Sequence, residues 1–284
     1  MRWCIEMKSP ALLISDMDRT ILTHDHALPQ RVTEAFVRAK KDELRVVLAS
    51  ARSPKALLPY LDSLNVDGAC ICFNGGWIGN PRTGESVHNH VIPRELAADV
   101  FRYAEALGVT VLWYAGNDVF ATQDNEVVTK ETGITGEVLR HVKAVQEIPG
   151  EPNKIMCVAW DVEGQGQFDK IRNAFSRHMQ LSRSHARLLE ISPKGVDKAG
   201  AAAFVRDALG IAAADTAAAG DAENDLQMLR DVGFPVTVSN ALPEIKAFAK
   251  FTAASCDEGG IADAVDWLLA LRRNHSHAKG LAHA

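Results

Sequence analysis

The sequence predicts an α/β protein built on a parallel sheet, with a second α+β block inserted into it. Three observations lead there. Short apolar runs alternate with helix-period segments, the rhythm of βαβ units. That rhythm breaks after residue 84 and returns near 195. Two of the apolar runs, far apart in the chain, end in carboxylates, where open α/β sheets place their ligands.

The first stretch reads as a strand over 11–15, a helix over about 30–42, a strand over 45–49, a helix over 54–63 and a strand over 69–73. Gly79-Asn80-Pro81-Arg82-Thr83-Gly84 is a turn cluster. The block beyond it carries a helix (93–107), strand-like runs (109–114 and 118–122), a helix (134–141), a strand (154–160), a helix (166–179) and a strand (186–191). Alternation then resumes: a helix (197–208), a strand (215–219), a helix (223–231), a strand (235–238), a helix (242–248), a strand (251–253) and a helix (260–271). The expected architecture is a Rossmann-like core of three layers, α/β/α, from residues 1–83 and 190–284, with the inserted block at 84–189. Residues 273–284 are polar and carry His275, His277 and His283; they read as a disordered tail.

With 284 residues the chain can bury a large core and divide into two domains. A formal charge of -5 gives no electrostatic case for nucleic acid or an anionic membrane surface. No apolar run approaches the roughly 20 residues of a membrane span. The first residues, with Glu6 and Lys8, do not read as a signal peptide. Cys4, Cys70, Cys72, Cys157 and Cys256 are odd in number and scattered, as expected of incidental thiols in a reducing cytoplasm.

The chemistry is concentrated at two strand ends. Leu12-Leu13-Ile14-Ser15 runs into Asp16-Met17-Asp18-Arg19-Thr20, two carboxylates and a hydroxyl at alternate positions. Read alone, this fits a solvated turn as well as a site. A second run, Ala217-Ala218-Ala219, ends in Gly220-Asp221, and a helix start follows at Asn224-Asp225. Clustered carboxylates repel unless a positive charge lies among them. Two such clusters are best explained by meeting at one cation, for which Mg²⁺ is the expected species.

In this arrangement the chain resembles the haloacid dehalogenase-like phosphatases, and among them the Cof-type, or type IIB, sugar-phosphatase group. Asp16 to Thr20 match the family's Asp-x-Asp-x-Thr. Ser50, ending Val46-Val47-Leu48-Ala49, matches its strand-end hydroxyl, with Arg52 two residues on. Lys198 matches its lysine, and Gly220 to Asp225 match Gly-Asp-x-x-Asn-Asp. Asn74-Gly75-Gly76, Asn240-Ala241 and Glu258-Gly259-Gly260 match further type IIB features, in order along nearly the whole chain. Arg19, Ala51 and Ala199 stand where glycine is usual, and Arg19 is the departure that bears on loop geometry and substrate.

The resemblance implies that residues 84–189 form a cap domain that sets specificity. It implies a phosphatase in which Asp16 is the nucleophile and Asp18 the general acid and base. Asp18's pKa would be raised by the phosphate and by Asp16. Mg²⁺ would lie between Asp16, the Asp18 carbonyl and Asp221. Thr20, Ser50, Lys198 and Asn224 would bind phosphate or neutralise its charge, and Asp225, Arg52, Asn74 and Gly75 would support them. Arg19 is a candidate for reading a second anionic group on the substrate. The expected partner is a small phosphorylated metabolite, with no nucleic acid and no membrane; the oligomeric state stays open. A phosphomutase on the same core and a catalytically inactive sugar-phosphate sensor are the competing classes. Plainer roles compete residue by residue. Ser50 could cap the helix beginning near Pro54, Lys198 could be a solvated helix-start lysine, and Asn224 and Asp225 could be caps only. Trp113 and Tyr114 could be cap core or could stack on a sugar ring. Arg94, Lys130, Arg140, Lys143 and Lys154 read as a mostly solvated basic face, of which one residue could reach the substrate.

Overall fold

The computed structural model describes residues 9–159 and 164–282. The central sheet has five parallel strands in the order Phe251–Ala253, Phe234–Val238, Thr216–Ala219, Leu12–Ser15 and Arg45–Leu48. Leu12–Ser15 lies in the middle and is fully buried. An apolar run without alternation is what a strand covered on both faces requires. On one face Gln30–Lys41 packs on the last helix, Ile261–Ala282, over Leu13, Leu48 and Val236. On the other, Lys198–Ala208 and Leu226–Arg230 cover Leu12, Ile14 and Ala218. Small residues in Thr216–Ala219 let these layers approach closely, and the parallel register leaves Ser15 and Ala219 side by side at the strands' carboxyl ends.

The cap is a six-stranded sheet in the order Met179–His185, Leu188–Pro193, Lys154–Val158, Thr110–Ala115, Asp118–Ala121 and Val138–His141. The helices Arg94–Ala106 and Gly164–Phe175 belong to a second core with Trp113, Ile155 and Leu189 on its outer face. Cys70–Cys72, Trp77–Gly79 and Ser86–Asn89 form a separate three-stranded sheet.

Several expectations need correction. The helix expected at 134–141 is Glu126–Thr135, N-capped by Asn125, and Val138–His141 is an edge strand. The helix expected over 166–179 stops at Phe175, and Met179–His185 is a strand that the sequence reading missed. Ser86–Asn89 pairs with Trp77–Gly79 rather than with the cap sheet, and the cap strand Leu188–Pro193 runs through position 190. The segment expected to be a tail continues the last helix to Ala282. Arg272 anchors it by donating to the carbonyls of Pro10 and Asp42, and Arg273 pairs with the Asp42 carboxylate. His283 and Cys4 lie outside the described residues. No helix among the described residues is long and apolar enough to cross a membrane.

Candidate active site

The turn after Leu12–Ser15 folds on one acceptor: the amides of Thr20, Ile21 and Leu22 all donate to the Met17 carbonyl. Closing it needs a left-handed residue, and Arg19 supplies it at φ 61°. Arginine thus takes the conformation that glycine usually provides, at a steric cost. The turn buries Asp16 and Thr20 and leaves Asp18 at the edge of a cavity.

Lys198, buried at the start of its helix, donates to Asp16 Oδ1 at 2.5 Å and to Asp225 Oδ1 at 2.7 Å. It is therefore not a solvated helix-start lysine. Asp225 accepts from the amides of Asp221 and Ala222 with its other oxygen, at 3.1 Å each. Gly220 makes room for this: a Cβ there would lie 2.5 Å from Asp225 Cβ. Thr20 Oγ1 donates to Asp221 Oδ1 at 3.2 Å. The two strand-end clusters do meet.

Asp16, Asp221 and Asp225 each place an oxygen within 4.8 Å of the others. Burial first, and then the neighbouring carboxylates against the opposing Lys198, raise Asp16 well above the usual carboxylate range. Burial and Asp225 push Asp221 up to about 7. The cluster holds more negative charge than Lys198 offsets. An all-oxygen donor set with that excess fits a hard divalent cation.

Asp18 is held differently. Arg52 grips its carboxylate with Nε at 2.9 Å and Nη2 at 2.6 Å, and His26 Nδ1 lies 2.8 Å from Oδ1. Burial would raise this carboxyl, but the bonds to Arg52 and His26 outweigh it and hold it well below its ordinary value. Without phosphate, then, Asp18 is lowered rather than raised.

Ser50 is fully buried, and its Oγ accepts from the Arg52 amide at 3.1 Å. It caps no helix: Ser53 does that for Pro54–Leu61. Asn224 donates to Asn74 Oδ1 at 3.0 Å, which leaves Asn74 Nδ2 and Asn224 Oδ1 buried without a partner among the described residues. Gly75, at φ +103°, brings the backbone against Asp197, where a Cβ would lie 2.5 Å from the carbonyl oxygen.

The cap closes over these groups and leaves a cavity of about 450 Å³, lined by Asp16, Asp18, Arg19, Asp221 and Asn224 from the core and by cap residues including Tyr114, Glu131 and Arg187. Lys154, expected on a solvated face, is 3% exposed. It pairs with Glu190 at 3.0 Å, donates to the Ala51 carbonyl at 2.8 Å and lies over the Tyr114 ring. Glu137 accepts from the Ser53 amide, so the cap touches the Ser50 loop twice. Trp113 is cap core, whereas Tyr114 reaches the cavity. Arg94 is spent on the carbonyls of Gln146, Ile148 and Gly150. His26 and Glu137 were missed as cavity residues, whereas Tyr114 takes up the substrate-side alternative the sequence left open and Lys154 leaves the solvated face. The left-handed loop that places His26 and the sheet register that turns Lys154 inward leave no local motif.

A profile of the haloacid dehalogenase-like hydrolases matches residues 13–265. The fold and the meeting of the two aspartate clusters fit the same class: the chain belongs to the haloacid dehalogenase-like hydrolase family. It is 29% identical to a Haemophilus influenzae protein provisionally named a phosphatase, over 88% of this chain and 95% of that one. It is 26% identical to the HMP-PP phosphatase of Serratia proteamaculans, over 82% and 85%. A haloacid dehalogenase-like hydrolase structure from Bacteroides thetaiotaomicron superposes with a TM-score of 0.80 at 24% identity, over 92% of this chain and all of that one.

Proposed function

We propose that the protein is a Mg²⁺-dependent phosphatase that hydrolyses a small phosphate monoester, a sugar phosphate, through a phospho-Asp16 intermediate. The observation that carries this reading is the placement of Asp16. It is a buried carboxylate paired with Lys198, it borders the capped cavity, and the clamped Asp18 lines the same cavity. In the first step an Asp16 oxygen attacks phosphorus in line, and the bond from phosphorus to the leaving oxygen breaks. Asp18 gives that oxygen its proton. In the second step water attacks phosphorus, Asp18 takes the water's proton, and the bond to Asp16 breaks to release inorganic phosphate.

Asp18 must hold a proton for the first step, and the Arg52–His26 clamp opposes this. An arriving phosphate dianion works in the other direction and raises Asp18's proton affinity. Lys198 offsets charge at Asp16. Ser50 Oγ accepts from Arg52, which leaves its own O–H to donate to phosphate. Asn224 reaches the same group from the cavity wall, while Asp225 and Thr20 hold Lys198 and Asp221 in place. Asp16, Asp221 and the Asp18 backbone carbonyl would hold Mg²⁺, whose chemistry there is to neutralise the two anions that must approach each other. The cavity has the size of a small-ligand site. Its carboxylates, cations and one phenol ring suit a polyhydroxylated leaving group.

Arg19 lines the same cavity, and its guanidinium has no hydrogen bond or ion pair among the described residues. We assign it to a second anionic group on the substrate.

Phosphate release from a panel of sugar phosphates, with Mg²⁺ and with chelator, tests the proposal. Magnesium-dependent release of inorganic phosphate is expected. Isomerised sugar phosphate with no free phosphate would replace it with a mutase, and binding without turnover would replace it with a sensor.

A further inference from the structure

Outside the aspartate cluster three unlike side chains converge. His24 Nδ1 lies 2.8 Å from Asp257 Oδ2 and 3.4 Å from Cys256 Sγ. Cys256 Sγ lies 3.8 Å from Asp257 Oδ1. One oxygen, one nitrogen and one sulfur thus sit within 4.8 Å of one another. A proton relay through histidine would use its two ring nitrogens in opposite directions. Here a single nitrogen faces both the carboxylate and the thiol. Each side chain brings a ligand atom within reach of the other two, an arrangement that one bridging cation serves well.

From these atoms we infer a second metal site, His24–Cys256–Asp257, that takes a thiophilic divalent cation of the zinc type, distinct from the oxygen-ligated Mg²⁺ position. Bonds of about 2.3 Å to sulfur and about 2.0–2.1 Å to nitrogen and oxygen put tetrahedral donors roughly 3.3–3.6 Å apart. The sulfur-to-nitrogen distance of 3.4 Å falls in that range; the carboxylate, whose Oδ1 lies 3.8 Å from sulfur and whose Oδ2 lies 2.8 Å from nitrogen, must shift by about half an ångström to present one oxygen to the ion. Sulfur and imidazole select against magnesium. The cation has an open approach, since the His24 and Asp257 side chains are 40% and 53% exposed, and water can complete the tetrahedron.

The ligands are held before any ion arrives. Asp257 Oδ1 accepts from the His24 amide at 2.9 Å, and Ser255 Oγ accepts from the Asp257 amide. The Cys256 amide donates to Asn240 Oδ1 at 2.9 Å, and Asn240 Nδ2 donates to the Arg19 carbonyl at 2.9 Å. His24 follows the first aspartate motif and lines the cavity. The ion would therefore tie the 16–24 loop to the 255–258 turn at the cavity mouth. Binding exchanges the thiol proton for the metal, so occupancy rises with pH.

Cobalt(II) is the probe, added to full-length reduced protein in saturating Mg²⁺ so that the aspartate cluster is filled. One equivalent should produce a thiolate-to-cobalt charge-transfer absorption, and Zn²⁺ should bleach it and raise the unfolding temperature. Cys256→Ser should abolish the band. His24→Ala and Asp257→Asn, both at exposed positions, should each weaken Co²⁺ binding at least tenfold without changing metal-free unfolding. A band that survives in Cys256→Ser, or no band in the parent protein, overturns the site. So does affinity unchanged by both exposed substitutions. The readout does not depend on turnover, so it stands or falls apart from the phosphatase reading.

Discussion

Arg19→Gly should move stability and specificity in opposite directions. The residue sits at φ 61° in a turn whose three amides share the Met17 carbonyl. A left-handed L-residue costs about 1–2 kcal/mol, and glycine removes that cost. Glycine also loses more freedom on folding, about 0.5–1 kcal/mol. The variant should therefore be about as stable as the parent or up to about 1.5 kcal/mol more stable. Catalysis should go the other way for one class of substrate. A hydrogen bond to a charged group contributes about 1.5–3 kcal/mol, which is roughly ten- to hundredfold in rate. So kcat/KM should fall by that factor for a phosphate monoester that carries a second carboxylate or phosphate, and stay nearly level for a neutral-sugar monophosphate. The assay is steady-state phosphate release on matched substrates, with thermal unfolding of the same preparations. Equal loss on both substrates would make Arg19 a loop residue, and no loss on either would return it to solvent. A fall in stability would contradict the conformational argument itself.

Asp16→Asn should abolish turnover while leaving the fold intact, checked by phosphate release and circular dichroism; near-parental release would remove Asp16 as nucleophile. Asp18→Asn should lose most of kcat yet keep Mg²⁺ affinity, whereas Asp221→Asn should lose that affinity; equal loss by calorimetry would reverse the assignment. Glu190→Gln strands Lys154, 3% exposed, as an unpaired buried cation, so it should destabilise the protein by about 3–5 kcal/mol in denaturant unfolding. A loss under about 1 kcal/mol would mean the lysine escapes to water. Stability without divalent cations should change with pH in a defined direction. Native Asp221, at about 7 against the ordinary 3.8, binds its proton more tightly than the unfolded chain does. Its contribution is therefore greatest below about pH 4 and is lost as pH rises toward 7. Asp18, lowered in the native state, contributes in the opposite sense: its stabilisation is present above about pH 4 and lost on acidification below it. Unfolding from pH 5 to 8 with chelator should show the Asp221 loss, and Mg²⁺ should restore it; a flat profile would count against the crowded-carboxylate account.

What the sequence made legible was local. Core strands were recognisable because most of each is a short apolar run, and the first and last aspartate motifs because each sits within a few residues of a strand end. The cap was harder. Val138–His141 is an exposed edge strand with few apolar residues, so the helix before it was placed eight residues late; Asn125, which caps that helix, was the overlooked start signal. Met179, Leu181 and Arg183 alternate with polar residues as a half-buried strand should, but they follow directly on a helical pattern. Lys154 could not be told from a surface lysine, because its partners Glu190 and Ala51 are remote in sequence.

Asp18 shows where such reading ends. The motif identifies the residue, but its protonation depends on residues 8 and 34 positions away in the chain. Arg52 is itself held at its amide by Ser50 Oγ and at its guanidinium by Tyr60, 3.5 Å away. A carboxylate gripped this way is well placed to accept a proton from water and poorly placed to deliver one first. The proposed first step therefore requires something to oppose the clamp, and the substrate phosphate is the group whose charge does so. Asp18 would gain its acidic proton as substrate arrives and return to its ionised state as phosphate leaves. On this view the Arg52–His26 grip favours the second half of the reaction, while binding energy from the capped cavity supports the first.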